Sequence, residues 1–152
     1  VSDSLRFDDL REGQELPPFV RTTDLMNWNR FAAVYDEFVD FHMDDEAARR
    51  RGEKGAIGMG NLRFSYLHSL LRAWLGEAGE IRRLACQHRG INYKGDTLTC
   101  HGRVVGTRVA NGERLVELEL WVENQRGERI DTGSATVVLF EGVRATEALL
   151  AG

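Results

Sequence analysis

Only two of the 152 residues are cysteine and only two are proline, and the net charge is no more than −4. Each shortage excludes something. Cys86 and Cys100 have no second cysteine pair and no histidine at ligand spacing, which argues against a structural zinc site and a disulfide framework. Both read as small core residues. The lack of a basic surplus argues against a nucleic-acid binder, since such proteins neutralise phosphates with a net positive face. A phosphorylated small molecule stays open. No run of about 18 apolar residues occurs, and residues 1–9 lack a basic start followed by an apolar stretch. The expectation is therefore a soluble cytoplasmic protein without membrane contact. No internal repeat or low-complexity segment is visible.

What is present is enough for a core. With 42% hydrophobic and 29% charged residues, global disorder is not expected, and a chain of this length makes one domain. Residues 1–152 are read as that domain, with peripheral tails at 1–9 and 141–152. Residues 5–21, holding Gly13, Pro17 and Pro18, alternate too weakly for a strand and read as an extended lead-in. Thr23 or Asp24 caps a helix running to about Val34. Residues 35–43 keep neither period and read as an irregular crossing. Asp44 caps a short helix with acids in its first turn and Arg49, Arg50 and Arg51 in its last, the order a helix dipole favours, and Gly52 ends it.

Glycines 55, 58 and 60 lead into the most apolar helix, where Leu62, Tyr66, Leu67, Leu70, Leu71, Trp74 and Leu75 recur at steps of three and four. Gly76 closes it. From there the period is two: a poorly alternating strand at 81–93, a turn at Gly95-Asp96, then strands at 97–109, 115–123 and 129–140. Asn111-Gly112 marks a two-residue hairpin. Val116, Leu118, Leu120 and Val122 face one side, joined by Ala135, Val137 and Leu139, while Glu117, Glu119 and Glu123 face the other. The pattern predicts an α+β fold: an antiparallel meander whose apolar face is covered by the 62–75 helix.

Several short motifs, in order, resemble those of the MaoC-like acyl dehydratases, also called (R)-specific enoyl-CoA hydratases. They are Phe31-Ala32-Ala33, Glu37 with His42 five positions on, Asp44, Ala47-Ala48-Arg49, Gly52 and Ile57-Gly58-Met59-Gly60. In the strand block, Gly95-Asp96-Thr97-Leu98 is similar to a recurrent Gly-Asp-Thr-Leu, and Asn124-Gln125-Arg126-Gly127-Glu128 to an Asn-Gln-x-Gly hairpin. The resemblance spans about residues 10–140. It implies the hot-dog fold, a long curved antiparallel sheet wrapped round one helix. It also implies a homodimer or higher oligomer, with a heteromer possible, whose active site lies near the junction of subunits. Glu37 stands where the family has Asp, and Val39 and Asp40 replace its Asn and Pro.

The implied chemistry is reversible addition of water to a 2-enoyl thioester. CoA or an acyl carrier enters as part of the substrate, and no separate cofactor or metal is implied. Water must lose a proton as it attacks C3, C2 must gain one, and the thioester oxygen becomes negative. A histidine that titrates near neutrality and a carboxylate holding the same water can orient, deprotonate and reprotonate as a pair. The candidates are His42 with Glu37, Asp36 and Asp40 remaining alternative acids. The N–H of Gly60, with Asn61 beside it, is placed to polarise the carbonyl, a donor typically worth about 3 kcal/mol. Arg89 and Lys94 are candidates for binding the carrier's phosphates, and Arg49–Arg51, Arg82 and Arg83 could serve the same end. His68, His88 and His101 share no ligand spacing, so no metal is assigned; Ser65 and Ser69 have no identifiable triad partner. Trp28, Phe31 and Phe38 are read as core before acyl pocket. A non-catalytic subunit that binds acyl thioesters or completes a heteromer, and a thioesterase on the same fold, remain alternatives.

Overall fold

The computed structural model describes residues 5–140, so the tail expected at 141–152 and residues 1–4 lie outside the described residues. In chain order come β1 (Phe19–Thr22), α1 (Leu25–Tyr35), α2 (Asp40–Met43), α3 (Asp45–Arg50), α4 (Gly60–Leu75), β2 (Gly79–His88), β3 (Thr97–Ala110), β4 (Glu113–Glu123) and β5 (Arg129–Leu139). The strands form one antiparallel sheet in the order β1-β3-β4-β5-β2. It curls round α4, whose Leu62, Tyr66, Leu67, Leu70, Leu71 and Leu75 are buried against it. The predicted inner face is realised: Val116, Leu118, Leu120, Val122, Ala135, Val137 and Leu139 all lie in the core.

Local chemistry explains the element ends. Asp24 accepts from Asn27 N at 2.8 Å and Asp44 from Ala47 N at 2.8 Å, two N-caps that begin α1 and α3. At the β3–β4 turn Asn111 and Gly112 both take positive φ, +52° and +78°, as a primed two-residue hairpin requires. The two motifs of the strand block prove to be fasteners for each other. Gln125 donates to Asp96 Oδ1 at 2.7 Å and accepts from Thr97 N at 3.1 Å, tying the β4–β5 turn to the start of β3. Asn124 Oδ1 receives Arg126 N and Glu128 N inside its own turn.

Several expectations need correction. The lead-in ends in a strand, because β1 pairs with β3 from Phe19↔Cys100 to Thr22↔Thr97, and Leu5 and Phe7 pack against the core rather than hang as a tail. The irregular crossing contains one helical turn, α2, where Asp40 Oδ1 accepts from Phe41 N at 2.7 Å. The strand expected at 81–93 is β2, shifted to Gly79–His88, and it pairs with β5 instead of the β3 that follows it. Residues 89–96 leave the sheet to carry the chain to the far side of the meander. Of the aromatics, Trp28 is fully buried and Phe31 packs on the core, but Phe38 is exposed. Cys100 is buried and Cys86 half-buried.

Candidate functional site

Gly58, before α4, and Gly60, its first residue, sit against side chains from the end of β2 and the loop that follows it. A Cβ on Gly58 would lie 2.3 Å from the amide of Asn92, and one on Gly60 would lie 2.7 Å from His88 Nε2. The approach to α4 is thereby threaded between α2 on one side and the end of β2 on the other. Met59 supplies no side-chain cap, so the first-turn N–H groups of α4, including that of Gly60, have no acceptor within the helix.

His42 and Glu37 are both fastened to this segment. His42 is 8% exposed, and its Nδ1 lies 2.7 Å from the carbonyl oxygen of Ile57. A carbonyl only accepts, so Nδ1 carries the proton and Nε2 is the nitrogen left for chemistry. The Phe41 carbonyl holds the same stretch, accepting from Ile57 N at 3.1 Å, and the Phe41 ring packs on the imidazole with centroids 4.4 Å apart. Glu37 Oε2 accepts from Asn61 Nδ2 at 3.0 Å. Of the three candidate acids it is the one bonded to α4. Asp40 instead opens α2, where its Oδ1 accepts from Phe41 N and lies 3.6 Å from Arg51, and Asp36 is the exposed, left-handed C-cap of α1 at φ +56°.

The candidate phosphate contacts are dispersed. Lys94 Nζ is held by both oxygens of Asp45 at 2.6 and 2.7 Å, which pulls the Asp45 carboxyl below its ordinary range. It borders a cavity of about 290 Å³ together with Arg49, Lys54 and Tyr93. Arg89 is exposed and bonds the side chain of Gln87. Arg82 pairs with Glu80 and Glu113, and Arg83 donates to Ser134. The serines bond their own helix, Ser65 to Leu62 O and Ser69 to Ser65 O.

A second polar cluster went unread in the sequence. Arg63, 4% exposed on the inner face of α4, donates to both oxygens of the fully buried Asp131, at 2.8 Å from Nε and 3.0 Å from Nη2. It also bonds Asn92 Oδ1 at 2.8 Å and Gly90 O at 3.0 Å. Asp131 Oδ1 in turn lies 2.8 Å from His88 Nδ1. The available signal was Arg63 itself, a charged residue three positions before Tyr66 and four before Leu67 on an apolar stripe. One atom each of Cys86, His88 and Asp131 lie within 4.8 Å of one another, a spacing that could hold a metal ion. Their chemistry is already committed, however: Asp131 is spent on Arg63 and His88. Burial, and then the charge of Asp131, push the Cys86 thiol up to about 11, away from the thiolate a metal takes.

No family model matches the chain, and no curated protein matches its sequence. Solved structures do match the fold. An (R)-hydratase of A. caviae involved in PHA biosynthesis superposes with a TM-score of 0.79 at 23% identity, covering 87% of this chain and 98% of that one. The unliganded R-hydratase PhaJ1 of Pseudomonas aeruginosa gives 0.80 at 20% identity over 89% and 85% of the two chains. The ChsH1-ChsH2 complex of Mycobacterium tuberculosis gives 0.75 at 21% identity over 86% and 98%. At these identities the likeness establishes the architecture alone: the chain has the hot-dog fold. None of the described helices is long and apolar enough to cross a membrane.

Proposed function

We propose that this chain is an acyl-thioester hydratase/dehydratase, adding water reversibly to a 2-enoyl group carried on CoA or a carrier protein. The observation that carries the reading is the joint anchoring of His42 and Glu37 on residues 57–61, directly before the uncapped start of α4. The fold it shares with (R)-hydratases supports the same reading. In the forward direction the substrate's thioester oxygen sits at the Gly60 N–H, where the helix dipole and an unpaired donor favour growing negative charge. Water lies between the bare Nε2 of His42 and the Glu37 carboxylate, which Asn61 steadies while leaving its second oxygen to accept. As the water oxygen bonds C3, its proton passes to this pair, and a proton reaching C2 completes the product. Lys94, Arg49 and Lys54, with Arg89 farther along, supply positive charge for the carrier's phosphates.

A subunit that binds acyl thioesters inside a heteromer is the second reading, favoured by the structural likeness to a two-component complex and by Asp40 opening a helix where the family has proline. Purified protein given crotonyl-CoA and longer enoyl-CoAs, followed for loss of the enoyl chromophore and for thiol release, separates the readings. Chromophore loss without thiol is the expected result. Thiol release would indicate a thioesterase, and neither signal would favour the binding subunit. Glu37→Gln should lower hydration about 100-fold, because an amide replaces a water-accepting oxygen poorly, whereas Asp36→Asn and Asp40→Asn should stay within about threefold. A larger loss in Asp40→Asn would move the acid role to that residue.

A further inference from the structure

We propose that His88 is a second acid/base residue of this site, exchanging the proton at C2 of the bound acyl thioester, with Asp131 and Arg63 as its positioning residues. The inference rests on the hydratase reading and gives the C2 proton transfer to a group separate from the pair that handles water. His88 lies at the end of β2 with its side chain 42% exposed. Its Nδ1 faces Asp131 Oδ1 at 2.8 Å, and that carboxylate is clamped from behind by Arg63. A carboxylate so held accepts the Nδ1 proton, fixes the ring's orientation and stabilises the imidazolium that a proton transfer creates. The working nitrogen is then Nε2, and it points at Gly60, where a Cβ would come within 2.7 Å of it. On the hydratase reading, the Gly60 N–H is the group that receives the thioester oxygen. C2 is two bonds from that oxygen, so the group nearest the oxyanion position is also nearest the proton to be moved.

The other uses of this cluster are closed off. Cys86, 3.8 Å from His88 Nδ1, is no nucleophile, since its thiol is held protonated by burial and by Asp131. In the dehydration direction His88 Nε2 takes the C2 proton, and the freed electron pair gives an enolate whose oxygen is held by the Gly60 N–H. That pair then forms the C2=C3 bond as the C3–O bond breaks, and the hydroxyl leaves as water with a proton from the Glu37/His42 pair. His88 returns its proton to solvent and the pair recovers one, so the sum is one enoyl thioester and one water.

The test is dehydration of 3-hydroxybutyryl-CoA, unlabelled and deuterated at C2, by the wild type and His88→Gln. The expected result is a kcat about 100-fold lower, a KM within about threefold, an unchanged melting temperature, and an isotope effect larger than that of the wild type, because C2–H cleavage has become limiting. A kcat near the wild-type value, or a loss of kcat without a rise in the isotope effect, overturns the assignment. Should His88→Gln melt lower, His88→Ala with added imidazole replaces it: restored turnover supports the role and unrestored turnover overturns it. An active wild type with an indifferent His88 variant sinks this inference alone. A wild type inactive on this thioester and on the enoyl-CoAs sinks the hydratase reading with it.

Discussion

Gly58 and Gly60 occupy similar places in the sequence and are small for similar reasons, yet substitution should affect them differently. At Gly60 a new Cβ meets the outer edge of a half-exposed imidazole ring that Asp131 holds through Nδ1. At Gly58 it meets the Asn92 amide, which is buried and bonded to Arg63 at 2.8 Å and to Thr23 at 3.4 Å. Asn92 cannot yield without stripping a buried guanidinium of one acceptor. Gly58→Ala should therefore cost about 2–3 kcal/mol, combining overpacking with a lost buried hydrogen bond. Urea denaturation gives the value, and a change below about 0.5 kcal/mol would show that the 57–61 segment shifts freely.

The element on which everything converges is α4, and its odd feature is an ion pair on the inner face. Taking Arg63 and Asp131 out of water costs several kcal/mol per charge, and their mutual attraction with the Asn92 and Gly90 bonds offsets that cost. Removing one partner leaves the other uncompensated. Asp131→Leu and Arg63→Met should each destabilise by about 3–5 kcal/mol, while the double replacement Arg63→Met with Asp131→Leu should lose less than either. A double variant that loses the sum of the two single changes would mean that the pair acts through its separate neighbours rather than as a unit. If the double variant folds but has lost the His88-dependent isotope effect, the pair serves the site more than the core.

Among the described residues the sheet has two open edges, β1 of four residues and β2 of ten. A long edge with unpaired N–H and C=O groups invites pairing with another chain. We expect two copies to associate through β2 about a two-fold axis, which would also bring their His88 residues close to the junction. Light scattering at micromolar concentration should return about twice the 17.2 kDa of the chain. A monomeric mass would mean that β2 waits for a different partner, as in a heteromer.

Much of this was legible in the residues because it is local. The two aspartate caps, the Asn111-Gly112 turn, the α4 stripe and the alternation of β4 and β5 each follow from the conformational demands of a few neighbouring positions. The pairing of β2 with β5 was not legible, since period two says which face a side chain takes and nothing about which strand lies beside it. The site divides in the same way. Motif order marked Glu37, His42, Gly60 and Asn61, but only the fold shows Asn61 bonding Glu37 while Asp40 is spent on its own helix. His88 and Asp131 are 43 positions apart, and Arg63 and Asp131 are 68 apart. No periodicity joins residues on a strand end, a neighbouring strand and a helix, so that cluster was decided by how the sheet closes round α4.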